Sequence, residues 1–286
     1  MGRLYESLKR AESERRQSGT LDNEIDNPLE LGGLLPETFE LEGSLSATME
    51  LSSKSHLVAL TDPRCLAAEK FLALVTRLQH MRNERELKSL LVTSSIANEG
   101  KTFVTGNLAV TLAKHFDLRV LVVEGDLHRP ALQSLLGLTR LQGLSDWWST
   151  RKDNIAHYVY KINGMPLWFL GAGESCDRPS QILQSAEFAE AFTGLSGSFD
   201  WLLVDSTPML PTVDVNLWSR LVDGMVLVVR EGVAPVKALE QGLASLDNPK
   251  LVGIVLNETS EFDQRRYAGQ YYGSPKAEKK SPNKKH

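Results

Sequence analysis

With 286 residues, 42% of them hydrophobic, the chain can bury one sizeable core, and its formal net charge of −4 offers no basic surplus with which to hold nucleic acid. Its two cysteines, Cys65 and Cys176, lie far apart and outside any metal-ligand spacing, which points to a reducing compartment without a disulfide frame. No apolar run approaches the length of a membrane span, and the opening MGRLYESLKRAESERR carries no apolar leader, so a cytoplasmic protein is expected.

In chain order, residues 1–16 place Leu4, Tyr5, Leu8 and Ala11 on one face among charges, which predicts a short amphipathic helix that docks on something. Residues 17–60 are rich in Gly, Ser, Glu and Asn without a sustained period and read as a flexible linker. The domain expected over 61–260 opens with RCLAAEKFLALVTRLQHMR, whose Ala68, Phe71, Leu72, Val75, Leu78 and Met81 recur at helical spacing. Five apolar runs follow as strands: LKSLLVTS, LRVLVVEGD, DWLLVDS, GMVLVV and KLVGIVLN. Helical stretches at 101–115, 131–137, 186–196, 214–221 and 235–246 separate them. Strands apolar on both faces and divided by helices imply a mostly parallel sheet covered on both sides, an α/β architecture. IAHYVYKINGMPLWFLGAG, with Asn-Gly between two apolar runs, predicts a hairpin or an added edge pair. Residues 261–286 hold Tyr267, Tyr271 and Tyr272 and then a lysine-rich end, a composition that predicts a disordered tail.

TSSIANEGKTFVTGNLA, residues 93–109, closes the first of the five strands, passes a polar loop ending in Gly100-Lys101-Thr102 and opens a helix at once. That context turns a short match into a phosphate-loop expectation: Ser95, Asn98, Glu99, Gly100, Lys101, Thr102 and Phe103 would wrap ATP at a helix N-terminus, where unpaired N–H groups favour negative charge. Lys101 would reach the β- and γ-phosphates, and Thr102 would place its hydroxyl on Mg²⁺. Ser95 stands where such loops usually carry Gly or Ala. Two further strands end in acids, Glu124 and Asp126 after one and Asp205 after another, at the carboxyl edge where a nucleotide sits on such a sheet. Each acid alone could equally be a helix cap; convergence of three strand ends favours a site.

Taken together and in this order, SSIANEGKT, VLVVEGDLHRP, FDWLLVDSTP and GIVLN resemble the cytoplasmic ATPase domain of the bacterial tyrosine autokinases of exopolysaccharide and capsule systems, over about residues 63–260. The chain start also resembles the family's MSRIYEALKKAE opening. The resemblance implies a three-layer P-loop NTPase fold, with Lys101 and Thr102 as the Walker A pair, Glu124 and Asp126 as the Walker A′ acids and Asp205 as the Walker B acid. Catalysis would then rest on Lys101, Glu124, Asp126 and Asp205, and Mg²⁺ on Thr102, Asp126 and Asp205. Asn257 matches a position that reads the adenine edge, with strand-end capping as the equal alternative. Tyr267, Tyr271 and Tyr272 would be autophosphorylated. The implied partner is a membrane polysaccharide co-polymerase, a chain-length regulator with a cytoplasmic activating segment, which would recruit the homo-oligomeric protein to the inner face of the membrane. An ATP-binding switch that controls this partner without kinase activity is the alternative.

The departures from the family pattern are specific. Glu124 replaces an Asp, His128 stands where an Arg follows the second acid, and Thr207 replaces a Pro in the Walker B segment. The arginines of the family's ring-forming ExxRxxR are Leu72 and Val75 here, which predicts a weaker or differently built oligomer. The related partitioning ATPases carry an additional lysine five positions before the catalytic one; that position is Ile96, which favours the kinase branch.

Overall fold

The computed structural model describes residues 45–51, 55–150, 153–174, 178–210, 213–247 and 250–259. All belong to one unit, Glu37–His286; the other unit, Met1–Pro36, lies outside the described residues, as do the predicted helix of 1–16 and the tyrosine-bearing tail of 261–286.

The strands are β1 (Leu45–Ala47), β2 (Ser89–Ser94), β3 (Val120–Glu124), β4 (Val159–Ile162), β5 (Leu167–Leu170), β6 (Trp201–Asp205), β7 (Gly224–Arg230) and β8 (Leu251–Asn257). They form one sheet in the order β1-β4-β5-β3-β6-β2-β7-β8. Every neighbouring pair is parallel except β4 and β5, the hairpin expected around Asn163-Gly164. The central strands β2, β3 and β6 are buried at every residue, which explains their uninterrupted apolar runs: helices cover both faces and leave no side that needs polar residues.

The helices are α1 (Val58–Thr61), α2 (Leu66–Glu84), α3 (Lys101–Phe116), α4 (Leu132–Leu135), α5 (Leu144–Thr150), α6 (Pro179–Gln184), α7 (Ala186–Ser198), α8 (Asp214–Leu221) and α9 (Val236–Ala244). Of the apolar stripe expected on α2 from spacing, Ala68, Phe71, Val75 and Leu78 are buried, while Leu72 and Met81 are half-buried. Val75, at the second ring-arginine position of the resemblance, is thus a core residue. α3 is buried along Val104–Ala113 and runs through the main core with Leu108, Ala109 and Leu112. α4 is shorter than the 131–137 stretch because Gly137, at φ 62°, turns the chain out of the helix.

The predicted linker of 17–60 requires correction where the structure describes it. β1 pairs with β4, and Leu57 is fully buried in the main core. Asn107 of α3 holds this segment from both sides, donating from Nδ2 to the His56 carbonyl at 2.9 Å and accepting the Ala59 N–H at 3.2 Å. Glu50 N–H donates to the Gly137 carbonyl at 2.8 Å. Composition suggested a loose segment because its apolar residues follow no sustained local period; β1 and α1 are too short to show one, and their apolar residues are held by β4 and α3.

Candidate nucleotide site

The strand order explains why the motifs meet. β6 lies between β3 and β2, so Asp205 at its end falls between the acids after β3 and the loop after β2, with Glu124 and Asp205 direct partners across the sheet. The loop of 95–100 leads into α3 through Gly100 at φ 92°, and no side chain caps the helix. Other helices here are capped from the side chain, α2 by Cys65 and α7 by Ser185. The first N–H groups of α3 are therefore presented to an anion instead of to a neighbouring residue.

Ser95 and Glu99 are both fully buried. Ser95 Oγ donates to Glu99 Oε2 at 2.8 Å, Ile96 N–H donates to the same oxygen at 2.9 Å, and Arg230 N–H donates to Oε1 at 3.2 Å. The serine that departs from the usual Gly or Ala thus fastens the loop around its own glutamate. These two side chains shape the loop from inside. Asn98 takes the left-handed conformation at φ 66°, which a short amide side chain tolerates better than most. Asn257 reaches over from the end of β8 and donates from Nδ2 to the Glu99 carbonyl at 3.0 Å, so its amide braces the loop.

Gly100 fits because it has no side chain. A Cβ there would stand 2.1 Å from Asn257 Nδ2, in a conformation that L-residues rarely adopt. Strain of this kind costs on the order of 1–3 kcal/mol, so Gly100→Ala is expected to weaken nucleotide binding about tenfold or more and to lower the melting temperature. Isothermal titration and thermal melting check this; unchanged values in both would refute the close approach of Asn257.

Thr102 Oγ1 donates to Asp205 Oδ2 at 2.7 Å, and Lys101 Nζ lies 3.5 Å from Asp126 Oδ2. Asp126 also accepts the Arg129 N–H at 2.9 Å. Burial, first of all, pushes the Asp205 carboxyl up to about 7; the Lys101 charge and the Thr102 hydrogen bond oppose this, and Asp126 and Glu124 add to it. Such a buried acid is short of positive charge, and a hydroxyl beside two carboxylates, with phosphate oxygens to complete the shell, is the oxygen donor set that suits Mg²⁺. Among the described residues no three metal-ligating side chains converge into a closed cage, which an ion shared with a phosphate does not need.

Glu124 is differently engaged. Its Oε1 accepts the N–H groups of Leu132 at 2.7 Å and Gln133 at 3.1 Å, and Oε2 accepts that of Ala172 at 3.4 Å. Burial raises its pKa, and the backbone hydrogen bonds pull the other way.

Two contacts escaped the sequence reading. Thr105, one turn beyond Thr102 on α3, has its Oγ1 3.3 Å from Asp205 Oδ1; the i, i+3 spacing of two threonines was the available signal. His128 Nε2 lies 2.9 Å from Oδ2 of the buried Asp214, a residue 86 positions away that no local pattern links to it. A cavity of about 750 Å³ opens beside the loop, lined by Gly100, Thr102, Phe103 and Asn257 on one side and by His56 and Leu135 on another.

No protein-family model matches the chain. Among curated proteins it is similar to the putative tyrosine-protein kinase CapB of Staphylococcus aureus, 28% identical over 225 residues that cover 78% of this chain and 97% of CapB. It is 30% identical over 234 residues to the tyrosine-protein kinase wzc of Salmonella typhi, covering 81% of this chain and 32% of that larger protein. Among solved structures, the kinase domain of the Escherichia coli tyrosine kinase ETK superposes with a TM-score of 0.66 at 25% identity, over 80% of this chain and 97% of that domain. These similarities span the region that carries the phosphate loop and the three strand-end acids, and over that region the chain is similar to bacterial tyrosine-protein kinases.

Proposed function

We propose that the chain transfers the γ-phosphoryl group of ATP to tyrosines of its own kind and thereby regulates exopolysaccharide polymerisation and export. The observation that carries this reading is the pairing of Lys101 with Asp126 and of Thr102 with Asp205 around the uncapped start of α3. Mg²⁺, held by Thr102 and Asp205 with Asp126 nearby, would supply charge neutralisation on the phosphates. Lys101 leaves Asp126 for the transferring phosphoryl group and offsets the charge that develops on it. Asp126, released from its ion pair, accepts the phenol proton as the tyrosine oxygen bonds to phosphorus and the bond to ADP breaks. Asn257 and Glu99 keep the loop open to the phosphates, and the adjoining cavity receives the nucleoside.

The substrate tyrosines are Tyr267, Tyr271 and Tyr272, presented by a neighbouring copy. Incubation with ATP and Mg²⁺ is expected to place phosphate on Tyr271 or Tyr272, and Tyr271→Phe with Tyr272→Phe together should remove most of the modification. Mass spectrometry of the tail reads the result. An unmodified tail in a protein that hydrolyses ATP would refute the kinase reading and leave an ATP-driven switch. One observation favours that second reading: Glu124 is engaged by backbone N–H groups, so Asp126 is the one acid at the end of β3 that faces Lys101.

The partner in this reading is a membrane polysaccharide co-polymerase whose cytoplasmic segment activates the kinase and recruits it to the inner face of the membrane. No helix among the described residues is long and apolar enough to cross a membrane, so recruitment would come from that partner. With Val75 in the core and Leu72 beside it, the homo-oligomer would be held by contacts other than the family's ring arginines.

A further inference from the structure

We infer that Glu124 is a positioning residue and not an acid of the chemistry: its carboxylate is the joint that holds the start of α4 and the end of β5 against the end of β3, and so sets both the cavity wall and Asp126. The inference rests on the nucleotide reading of the site and deepens it. A carboxylate has about four acceptor positions, and Glu124 fills three with backbone donors, Leu132 and Gln133 on one oxygen and Ala172 on the other. Its side chain is buried, so water cannot replace those donors.

The need for a distant acceptor is local. α4 begins after Ala131, which has no side-chain oxygen with which to cap it, so its N–H groups at 132 and 133 depend on Glu124 from across the loop. An aspartate, one methylene shorter, would reach less far from the same backbone. The third donor, Ala172, directly follows Gly171; the carbonyls of these two accept the N–H groups of Leu144 and Ser145 and thereby seat α5. One carboxylate thus ties three elements together.

What the joint positions is the site itself. Leu132 is fully buried beneath α4, while Ala131, Ser134 and Leu135 line the cavity beside Thr102 and Phe103. Gly125, between Glu124 and Asp126, donates its N–H to the Asp205 carbonyl at 2.7 Å, and a Cβ there would come within 2.6 Å of Val204 Cγ1. The backbone from Glu124 to Asp126 therefore has little freedom, and a change at the joint is transmitted to the carboxylate that pairs with Lys101.

The test separates positioning from chemistry. Glu124→Gln keeps one carbonyl oxygen for Leu132 and Gln133 and loses the acceptor for Ala172; Glu124→Ala loses all three. For a lost hydrogen bond to a charged group, Glu124→Ala is expected to raise the KM for ATP about 10- to 100-fold and, because Asp126 shifts with the joint, to lower turnover about tenfold, with Glu124→Gln restoring most of both. In the nucleotide-free protein, amide hydrogen exchange at Leu132, Gln133 and Ala172 should quicken at least tenfold in Glu124→Ala and less in Glu124→Gln. If Glu124→Ala does not fold, Glu124→Gln alone decides: a modest KM increase with turnover retained supports the joint. In Glu124→Gln, turnover that drops by a factor of about 100 or more, at unchanged KM and unchanged exchange, overturns it. Because exchange is read without nucleotide, unchanged protection at those amides in Glu124→Ala also overturns it, even if the protein proves to have no kinase activity. Failure of the nucleotide reading would show instead as absent ATP binding in the unmodified chain.

Discussion

Lys101→Ala is expected to lower ATP turnover by about three orders of magnitude and to abolish tail phosphorylation, because it removes the mobile cation that follows the transferring phosphoryl group. The ammonium is largely buried and lies 3.5 Å from the Asp126 carboxylate, so it is positioned before any nucleotide arrives. Without it, the cluster of Glu124, Asp126 and Asp205 has lost its nearest cation, and the negative phosphates of ATP meet uncompensated acids. Binding should weaken as well as turnover. Lys101→Arg tests geometry apart from charge: the planar, forked guanidinium is not the compact point charge that an ammonium offers the phosphoryl group, and it should rescue less than a tenth of the activity. Titration calorimetry and a phosphate-release assay measure both effects. Near-normal affinity and turnover in Lys101→Ala would refute the phosphate-loop assignment itself.

Asp205→Asn should separate function from stability. The asparagine oxygen can still accept the Thr102 hydroxyl, but it offers no charge to a metal or its waters, so Mg²⁺-dependent turnover should fall about 100-fold or more. The nucleotide-free protein should at the same time become more stable above neutral pH. The sign follows from burial: the folded-state value of Asp205, about 7, lies above that of an ordinary carboxyl, so the fold favours the protonated form. Its favourable contribution is complete below the unfolded value near ~3.9 and is lost as pH rises through about 7. At pH 8 the wild-type fold holds a buried carboxylate that costs on the order of a few kcal/mol, and the asparagine does not. The melting temperature of Asp205→Asn should therefore exceed that of the unmodified protein by several degrees at pH 8, roughly 2–4 °C for each kcal/mol, and by less at pH 5. Scanning calorimetry without nucleotide reads the difference. A variant that melts lower at pH 8, or that keeps its Mg²⁺-dependent turnover, would contradict this role for Asp205. The gain in stability with loss of function is the pattern expected where a site stores unpaired charge for its ligand.

Much of this protein is written locally. The strands β2, β3 and β6 are legible as apolar runs because a strand covered on both faces has no reason to alternate, β7 and the edge strand β8 carry similar runs with partial exposure, and α2 is legible because its buried stripe recurs at 3.6-residue spacing. The phosphate loop is legible because strand, Gly100-Lys101-Thr102 and helix are contiguous. Other features depend on partners far away in the chain. Leu57 looks like a stray apolar residue in a polar stretch until Asn107, fifty positions on, fixes its segment over α3. Ser95 looks like a fault in the loop until Glu99, with Arg230 and Asn257 from two later strands, gives it a frame. Glu124 looks like a slightly long copy of a catalytic acid, and its backbone partners, at 132, 133 and 172, show a joint instead. The sequence by itself determined the elements, the loop and the identity of the charged groups, since those follow from periodicity and nearest-neighbour chemistry. Only the tertiary structure decided which acid faces Lys101 and which faces backbone, because that choice depends on strand order and on which N–H groups burial leaves without any other acceptor.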